Sequence, residues 1–197
     1  MSFRSEVKFR LARAELFRLK AQLKRQGMTS LFPSRIINSV YFDNAAWTMF
    51  HESNEGIMPR KKIRLRTYPG QTESQLFEMK VSSAEGRYKE SKAIDQISTS
   101  DLLYRGKYFA GYGWCTPRIQ ISYIREYCQF ENLRITFDSN ITYSRYGQIK
   151  SYIDEEAVME VKFEHGGSCD SIYSSVNLLP SRFSKYERAV KIAANEG

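Results

Sequence analysis

Residues 3–11 set Phe3, Val7, Phe9 and Leu11 against Arg4, Glu6, Lys8 and Arg10. This period of two predicts a strand with one dry face. From 12 to 26 the spacing becomes helical, with Leu16, Leu19 and Leu23 on one side and Gly27 placed to end the helix, which predicts an amphipathic outer helix. Strand-like runs follow at 36–44, 61–68, 76–81, 87–91, 121–130, 133–139 and 158–164, with a Pro69-Gly70 turn after the second of them. A capped helix is predicted near 100–109 and a closing helix over 184–196, starting from Ser184. No linker, low-complexity block or fixed-period repeat interrupts the chain, so one domain over 1–197 is expected.

The polar faces of these strands carry the chemistry, because residues i, i+2 and i+4 point the same way. They present Lys8, Arg10, Lys62, Arg64, Arg66, Lys80, Lys89, Arg125, Arg134 and Lys162, with Glu6, Glu78, Asp138 and Glu160 interspersed. A half-exposed sheet with a solvated face is one reading of this pattern. Its weakness is the sign of the charge, since like charges across neighbouring strands repel unless an anion lies between them. Thirty Lys and Arg against 22 Asp and Glu, a net charge of +8, favour a polyanionic partner in the same way. If the sheet closes into a barrel with this face inward, Lys and Arg would hold phosphates strongly inside it. Carboxylates among phosphates can hold Mg²⁺ or Mn²⁺, which makes Glu160 and Glu6 metal candidates. The competing role for these two is a salt bridge with Lys162 and Lys8.

Composition narrows the rest. Thirteen Tyr and 12 Phe mark a globular chain. Cys115, Cys128 and Cys169 lack disulfide or zinc spacing and read as reduced thiols. His51 and His165 lack metal-ligand spacing and read as surface residues. The charged face lacks the aromatic pattern of an RNA-binding sheet, so no nucleic-acid partner is expected. No apolar run is long enough to span a bilayer and the first residues lack a signal-peptide pattern, so a cytoplasmic location is the default expectation.

Taken in order along the chain, these motifs resemble the VTC domain, the polyphosphate polymerase branch of the CYTH or triphosphate tunnel metalloenzyme superfamily. The resemblance rests on Arg4-x-Glu6-x-Lys8, SVYFDN at 39–44, KxRxR at Lys62, Arg64 and Arg66, and the Glu78–Lys80 pair followed by Lys89. It continues through Tyr123 and Arg125, then Arg134, Thr136 and Asp138, then Glu160 and Lys162, and ends on Ser184, Lys185 and Tyr186. The resemblance implies an α+β fold, a closed antiparallel barrel of about eight strands with helices packed outside. It implies transfer of the γ-phosphoryl group of ATP, or of another nucleoside triphosphate, to a growing inorganic polyphosphate chain, with Mn²⁺ or Mg²⁺ as cofactor. Lys8, Arg64, Arg66, Lys80, Lys89, Arg125, Arg134, Lys162 and Lys185 would then be catalytic cations. Arg10, Lys62, Tyr123 and Ser184 would assist substrate binding, and Glu160 would bind the metal together with Glu6.

Two departures from the family pattern shape the expectation. Arg4 stands where the hydrolase and cyclase branches have their first glutamate, which favours the polymerase branch over a triphosphatase. Ser91 stands where a further Arg often follows Lys89, which weakens one phosphate contact. The sequence shows neither the SPX domain nor the membrane segment of the eukaryotic polymerase, and so resembles a compact, bacterial-type form. The sequence leaves open a membrane-protein partner that receives the product. A noncatalytic polyanion-binding module and an inorganic triphosphatase are the alternative functions.

Overall fold

A computed structural model describes residues 4–70, 75–164, 167–175 and 178–194. The elements run β1 (Arg4–Ala12), α1 (Arg13–Arg25), β2 (Thr29–Asp43), α2 (Thr48–Glu55), β3 (Arg60–Thr67), β4 (Gln75–Ser83), β5 (Gly86–Ile94) and α3 (Gln96–Arg105). They continue with β6 (Lys107–Phe109), β7 (Gly113–Phe130), β8 (Leu133–Arg145), β9 (Ser151–Ile153), β10 (Glu156–Glu164), α4 (Asp170–Ser175) and α5 (Lys185–Ala194). Phe3, His165 and positions 195–196 of the expected last helix lie outside the described residues, while His51 is exposed as expected.

The chain divides into two units. The first comprises 1–36, 123–141 and 153–183, and the second comprises 37–122, 142–152 and 184–197. In the first unit β1 pairs antiparallel with β10, and β10 with β8. The dry faces of these strands supply Phe9, Leu11, Ile135, Phe137, Met159 and Val161 to a core completed by Leu16, Leu19 and Leu23 of α1. The helix therefore buries the leucine stripe that its sequence spacing predicts. Each such side chain contributes about 1.5–3 kcal/mol when taken out of water. Glu15 in the first turn of α1 accepts a hydrogen bond from the Ala12 amide at 2.8 Å, which satisfies a donor that the helix itself leaves open.

In the second unit β2, β3, β4 and β5 pair antiparallel in sequence order. Ile63 and Leu65 of β3 join Phe42, Met49, Leu102 and Cys115 in the core beneath that sheet. Asp95 starts α3 by accepting from the Ser98 amide at 2.7 Å. Gly106 ends it at φ +76°, where a Cβ would lie 2.3 Å from the Cys115 carbonyl oxygen. The expected helix near 100–109 thus begins earlier and stops at this glycine, and 107–109 form β6 instead.

Across the whole sheet the strand order is β1-β10-β8-β7-β2-β3-β4-β5, with β6 on β7 and β9 on β8. This order corrects the expectation of a closed barrel. β1 and β5 stand at the two ends of the path and do not pair with each other, so the antiparallel sheet of the described residues is open. The physical reason lies in the edge strand. β5 is exposed from Arg87 to Ala93 and carries Arg87, Lys89, Glu90 and Lys92, and charged side chains on a sheet edge oppose pairing with another strand. The α+β class with peripheral helices stands.

Candidate functional site

The second unit gathers one cationic cluster. Antiparallel register sets Lys62 opposite Lys80, and Lys80 opposite Lys89. Three ammonium-bearing side chains therefore share one row across β3, β4 and β5, an arrangement that costs stability unless anions screen it. The neighbouring row runs Tyr41, Arg64, Glu78, Ser91, and Ser39 faces Arg66.

Glu78 is the counter-ion of this cluster. Its carboxylate, 3% exposed, lies 2.6 Å from Arg64 Nε and 3.6 Å from Arg66 Nε. Lys89 also pairs with it, and the Ser91 hydroxyl donates to it at 3.4 Å. Burial alone would raise this carboxyl, but Arg64, Arg66 and Lys89 hold it down at about 2. The serine that replaces an expected cation thus donates a hydrogen bond to the central acid.

Arg64 has a second anchor. Its Nη1 donates to the Tyr41 hydroxyl at 2.9 Å. The Tyr41 ring stacks on Tyr186 with centroids 5.0 Å apart and planes 14° from parallel. Tyr186 in turn donates to Asp43 Oδ2 at 2.6 Å. Asp43, fully buried, also accepts from the Met49 and Phe50 amides at the start of α2, where partial positive charge favours a carboxylate. Lys62 donates to Ser184 Oγ at 2.9 Å and lies 3.1 Å from Glu187 Oε1. Ser184 precedes α5, and Lys185 is its first residue.

The first unit holds the other cluster. Lys8, Glu160 and Thr136 lie directly across from one another on β1, β10 and β8. Lys162 Nζ is 2.8 Å from Glu160 Oε1, and Lys8 Nζ is 3.8 Å from both Glu160 Oε2 and Glu6 Oε1. Burial opposes ionisation of Glu160, yet Lys162, Lys8 and Arg125 hold its carboxyl far below the ordinary range. Arg125 and Asp138 form a two-point pair, with Nε to Oδ1 and Nη2 to Oδ2 both at 2.6 Å. The Arg125 guanidinium lies 5.3 Å from the centroid of the buried Tyr123 ring, and that of Arg134 lies 5.8 Å from Tyr127. Arg10 is set apart from this group, in a half-exposed pair with Glu156 at 2.8 Å.

The chain's relatives give this chemistry a family. The VTC domain profile matches residues 3–194. The chain belongs to the VTC domain family. The superfamily that includes VTC domains catalyses phosphoryl-transfer and triphosphatase-type chemistry. Solved structures share the fold at low identity. One is a proposed adenylate cyclase from Bacillus halodurans, with 14% identity, 95% of this chain and 97% of that chain covered, and a TM-score of 0.64. Another is a proposed adenylyl cyclase from Hippeastrum with a dominant triphosphatase activity, with 13% identity, 96% of both chains covered and a TM-score of 0.60. A third, a proposed adenylate cyclase from Vibrio parahaemolyticus, has 14% identity, covers 96% of this chain and 98% of that chain, and gives a TM-score of 0.56. No curated protein matches the VTC chain.

The VTC assignment implies metal-dependent chemistry, and the residues present bear on how a metal would be held. Among the described residues no three His, Cys, Asp or Glu side chains group as a metal shell. The candidates Glu160 and Glu6 stand in the salt bridges that are their competing role. Opposite Glu160, however, the Thr136 hydroxyl is buried without a hydrogen-bond partner among the described residues. One carboxylate between lysines and one buried hydroxyl opposite it suit a hard cation that brings phosphate oxygens as its other ligands, and do not suit a cage made of protein alone.

Three groups escape sequence reasoning. Tyr41 and Tyr186 lie in recognised motifs, but their stacking joins residues 145 positions apart, and no local pattern reports it. Asp43 carries a local signal, a carboxylate ending the apolar run Val40-Tyr41-Phe42, which marks a buried acid that needs donors. Glu187 on α5 is found only through its contact with Lys62.

Proposed function

We propose that this VTC domain is a polyphosphate polymerase that transfers the γ-phosphoryl group of ATP to inorganic polyphosphate. The observation that carries the reading is the row Lys62–Lys80–Lys89 beside Arg64 and Arg66, in which Arg64, Arg66 and Lys89 converge on the buried carboxylate of Glu78. Such an excess of cations on adjacent strands suits a chain of phosphates, where Arg grips oxygens by paired N–H bonds and Lys acts as a point charge.

In the reaction, a terminal oxygen of polyphosphate attacks the γ-phosphorus, the bond from γ-phosphorus to the bridging oxygen breaks, and ADP leaves. Arg64, Arg66, Lys80, Lys89 and Lys185 bind and orient phosphates, with Lys62 and Ser184 assisting. Lys8, Lys162, Arg125 and Arg134 neutralise charge on the transferring group, the main catalytic task in phosphoryl transfer. Arg10 and Tyr123 support substrate binding from the same unit as those four, Tyr123 by backing the Arg125 guanidinium. Glu160, with Glu6 nearby, would hold Mn²⁺ or Mg²⁺, which when bound would draw charge from the phosphate oxygens. No covalent nucleophile takes part.

The phosphate balance tests this reading. A polymerase produces ADP without an equal amount of free phosphate, whereas a triphosphatase releases phosphate in step with ADP. Tight polyphosphate binding with no ADP formed would instead favour the noncatalytic binding module. An exposed, charged β5 leaves room for that second reading, because a long polyanion could lie along it without being turned over.

A further inference from the structure

Tyr41 has no part in the roles assigned above, yet it is one of the most constrained side chains of the second unit. It is 8% exposed, its ring is stacked on Tyr186, and its hydroxyl is tied to Arg64. We infer that the Tyr41 phenol is a built-in competitor for the phosphate-binding arginine: it holds Arg64 in place in the ligand-free protein and, once ionised, opposes substrate phosphates. The inference rests on the reading that Arg64 binds phosphate.

The geometry supports both halves. Arg64 is fixed at two points, Nε by Glu78 and Nη1 by Tyr41, which sets the plane of a guanidinium able to donate five hydrogen bonds. Tyr41 cannot swing away freely, because the Tyr186 ring stacked on it is held by Asp43, which is fixed in turn by two backbone amides of α2. The charges around the phenol are unequal. β3 brings Arg64, Arg66 and Lys62; against them stand Glu78 of β4, Asp43 of β2 and Glu187 of α5, while Arg118 of β7 acts on Tyr186. Burial by itself would raise the phenol, but Arg64, Arg66 and Lys62 outweigh it and bring it to about 8.

The sign of the linkage follows. As pH rises through 8 the phenol becomes an anion beside the cations that substrate must engage. Phosphates placed on Arg64 and Arg66 remove the charges that favour phenolate, so binding draws a proton back onto Tyr41. A single proton of this kind weakens binding by about tenfold between pH 7 and pH 9.

The test is calorimetric titration of the full chain with inorganic tripolyphosphate at pH 7, 8 and 9, for the wild type and Tyr41→Phe. The inference expects the wild-type dissociation constant to rise about tenfold more than that of Tyr41→Phe over this range. Equal pH dependence in the two proteins would overturn it. Ultraviolet titration of the wild type supplies a readout that does not depend on the variant folding. One tyrosine should ionise near pH 8 and move upward when tripolyphosphate is added, and absence of that early step also overturns the inference. Failure of the wild type to bind tripolyphosphate at any pH, with the early tyrosine step still present, would instead identify the phosphate-binding reading as the part that failed and would overturn the competition with it.

Discussion

Arg64 and Glu78 face each other across β3 and β4, with Nε 2.6 Å from a carboxylate that is 3% exposed. The acid does within this cluster what a bound phosphate would also do, by lying among cations that would otherwise repel.

This relationship predicts an acid-sensitive contribution to stability. The Glu78 carboxyl sits at about 2, below its ordinary value of 4.5. A depressed folded-state value means that the contribution is fully present above about 4.5 and is lost as pH falls toward 2. Glu78→Gln should therefore lose about 1–3 kcal/mol at pH 7, and the gap to wild type should shrink between pH 4.5 and pH 2.5. Urea unfolding of both proteins at these pH values measures it. A gap independent of pH would show that the carboxylate charge is not what stabilises.

Arg64→Ala and Arg66→Ala should weaken tripolyphosphate binding about 10- to 100-fold each, since a hydrogen bond to a charged group contributes about 1.5–3 kcal/mol. Turnover should fall with binding. Glu160→Ala should instead abolish turnover while most binding survives. Calorimetry with tripolyphosphate, set beside the rate of ADP formation, separates the two patterns; a Glu160 variant that loses binding alone would reverse the assigned roles.

The lysines flanking Glu160, at 2.8 Å and 3.8 Å, predict that Mn²⁺ has little affinity for the protein by itself and binds together with triphosphate. Electron paramagnetic resonance of Mn²⁺ with protein, before and after tripolyphosphate is added, reads this directly, with tripolyphosphate and Mn²⁺ alone as the reference. A protein-bound signal before the addition would mean that a metal site exists without substrate.

Asp138 is 1% exposed and holds Arg125 at two points. Asp138→Ala should cost about 3–5 kcal/mol, because it leaves a buried guanidinium without its partner. A loss below 1 kcal/mol in denaturant unfolding would show that Arg125 finds another acceptor.

Much of this arrangement is legible in the sequence wherever one strand has one dry face. The alternation through Lys62, Ile63, Arg64, Leu65 and Arg66 gives β3 and the outlook of each side chain, and the same holds for β1, β4 and β10. Where the residues themselves do not alternate, the signal fades. The first half of β2, from Thr29 to Ile36, is exposed throughout, so no period marks it. β7 begins eight residues before its expected start at 121, because its early part carries Pro117 and a half-buried, mixed pattern. The N-cap residue of α2, Trp47, supplies no side-chain cap; Asn44 accepts from the Thr48 amide, and Asp43, at the end of the preceding strand, accepts from those of Met49 and Phe50. Whether the sheet closes is the property furthest from any local pattern, since it depends on which strands end up at the edges, and here the charged β5 is one of them.

The most direct test of the central claim is incubation of the purified protein with ATP and Mn²⁺ or Mg²⁺, with products resolved on a gel and free phosphate assayed in parallel. The account predicts a ladder of polyphosphate chains that lengthen with time while free phosphate stays low. Free phosphate equal to the ATP consumed, with no chains at any time, would contradict it.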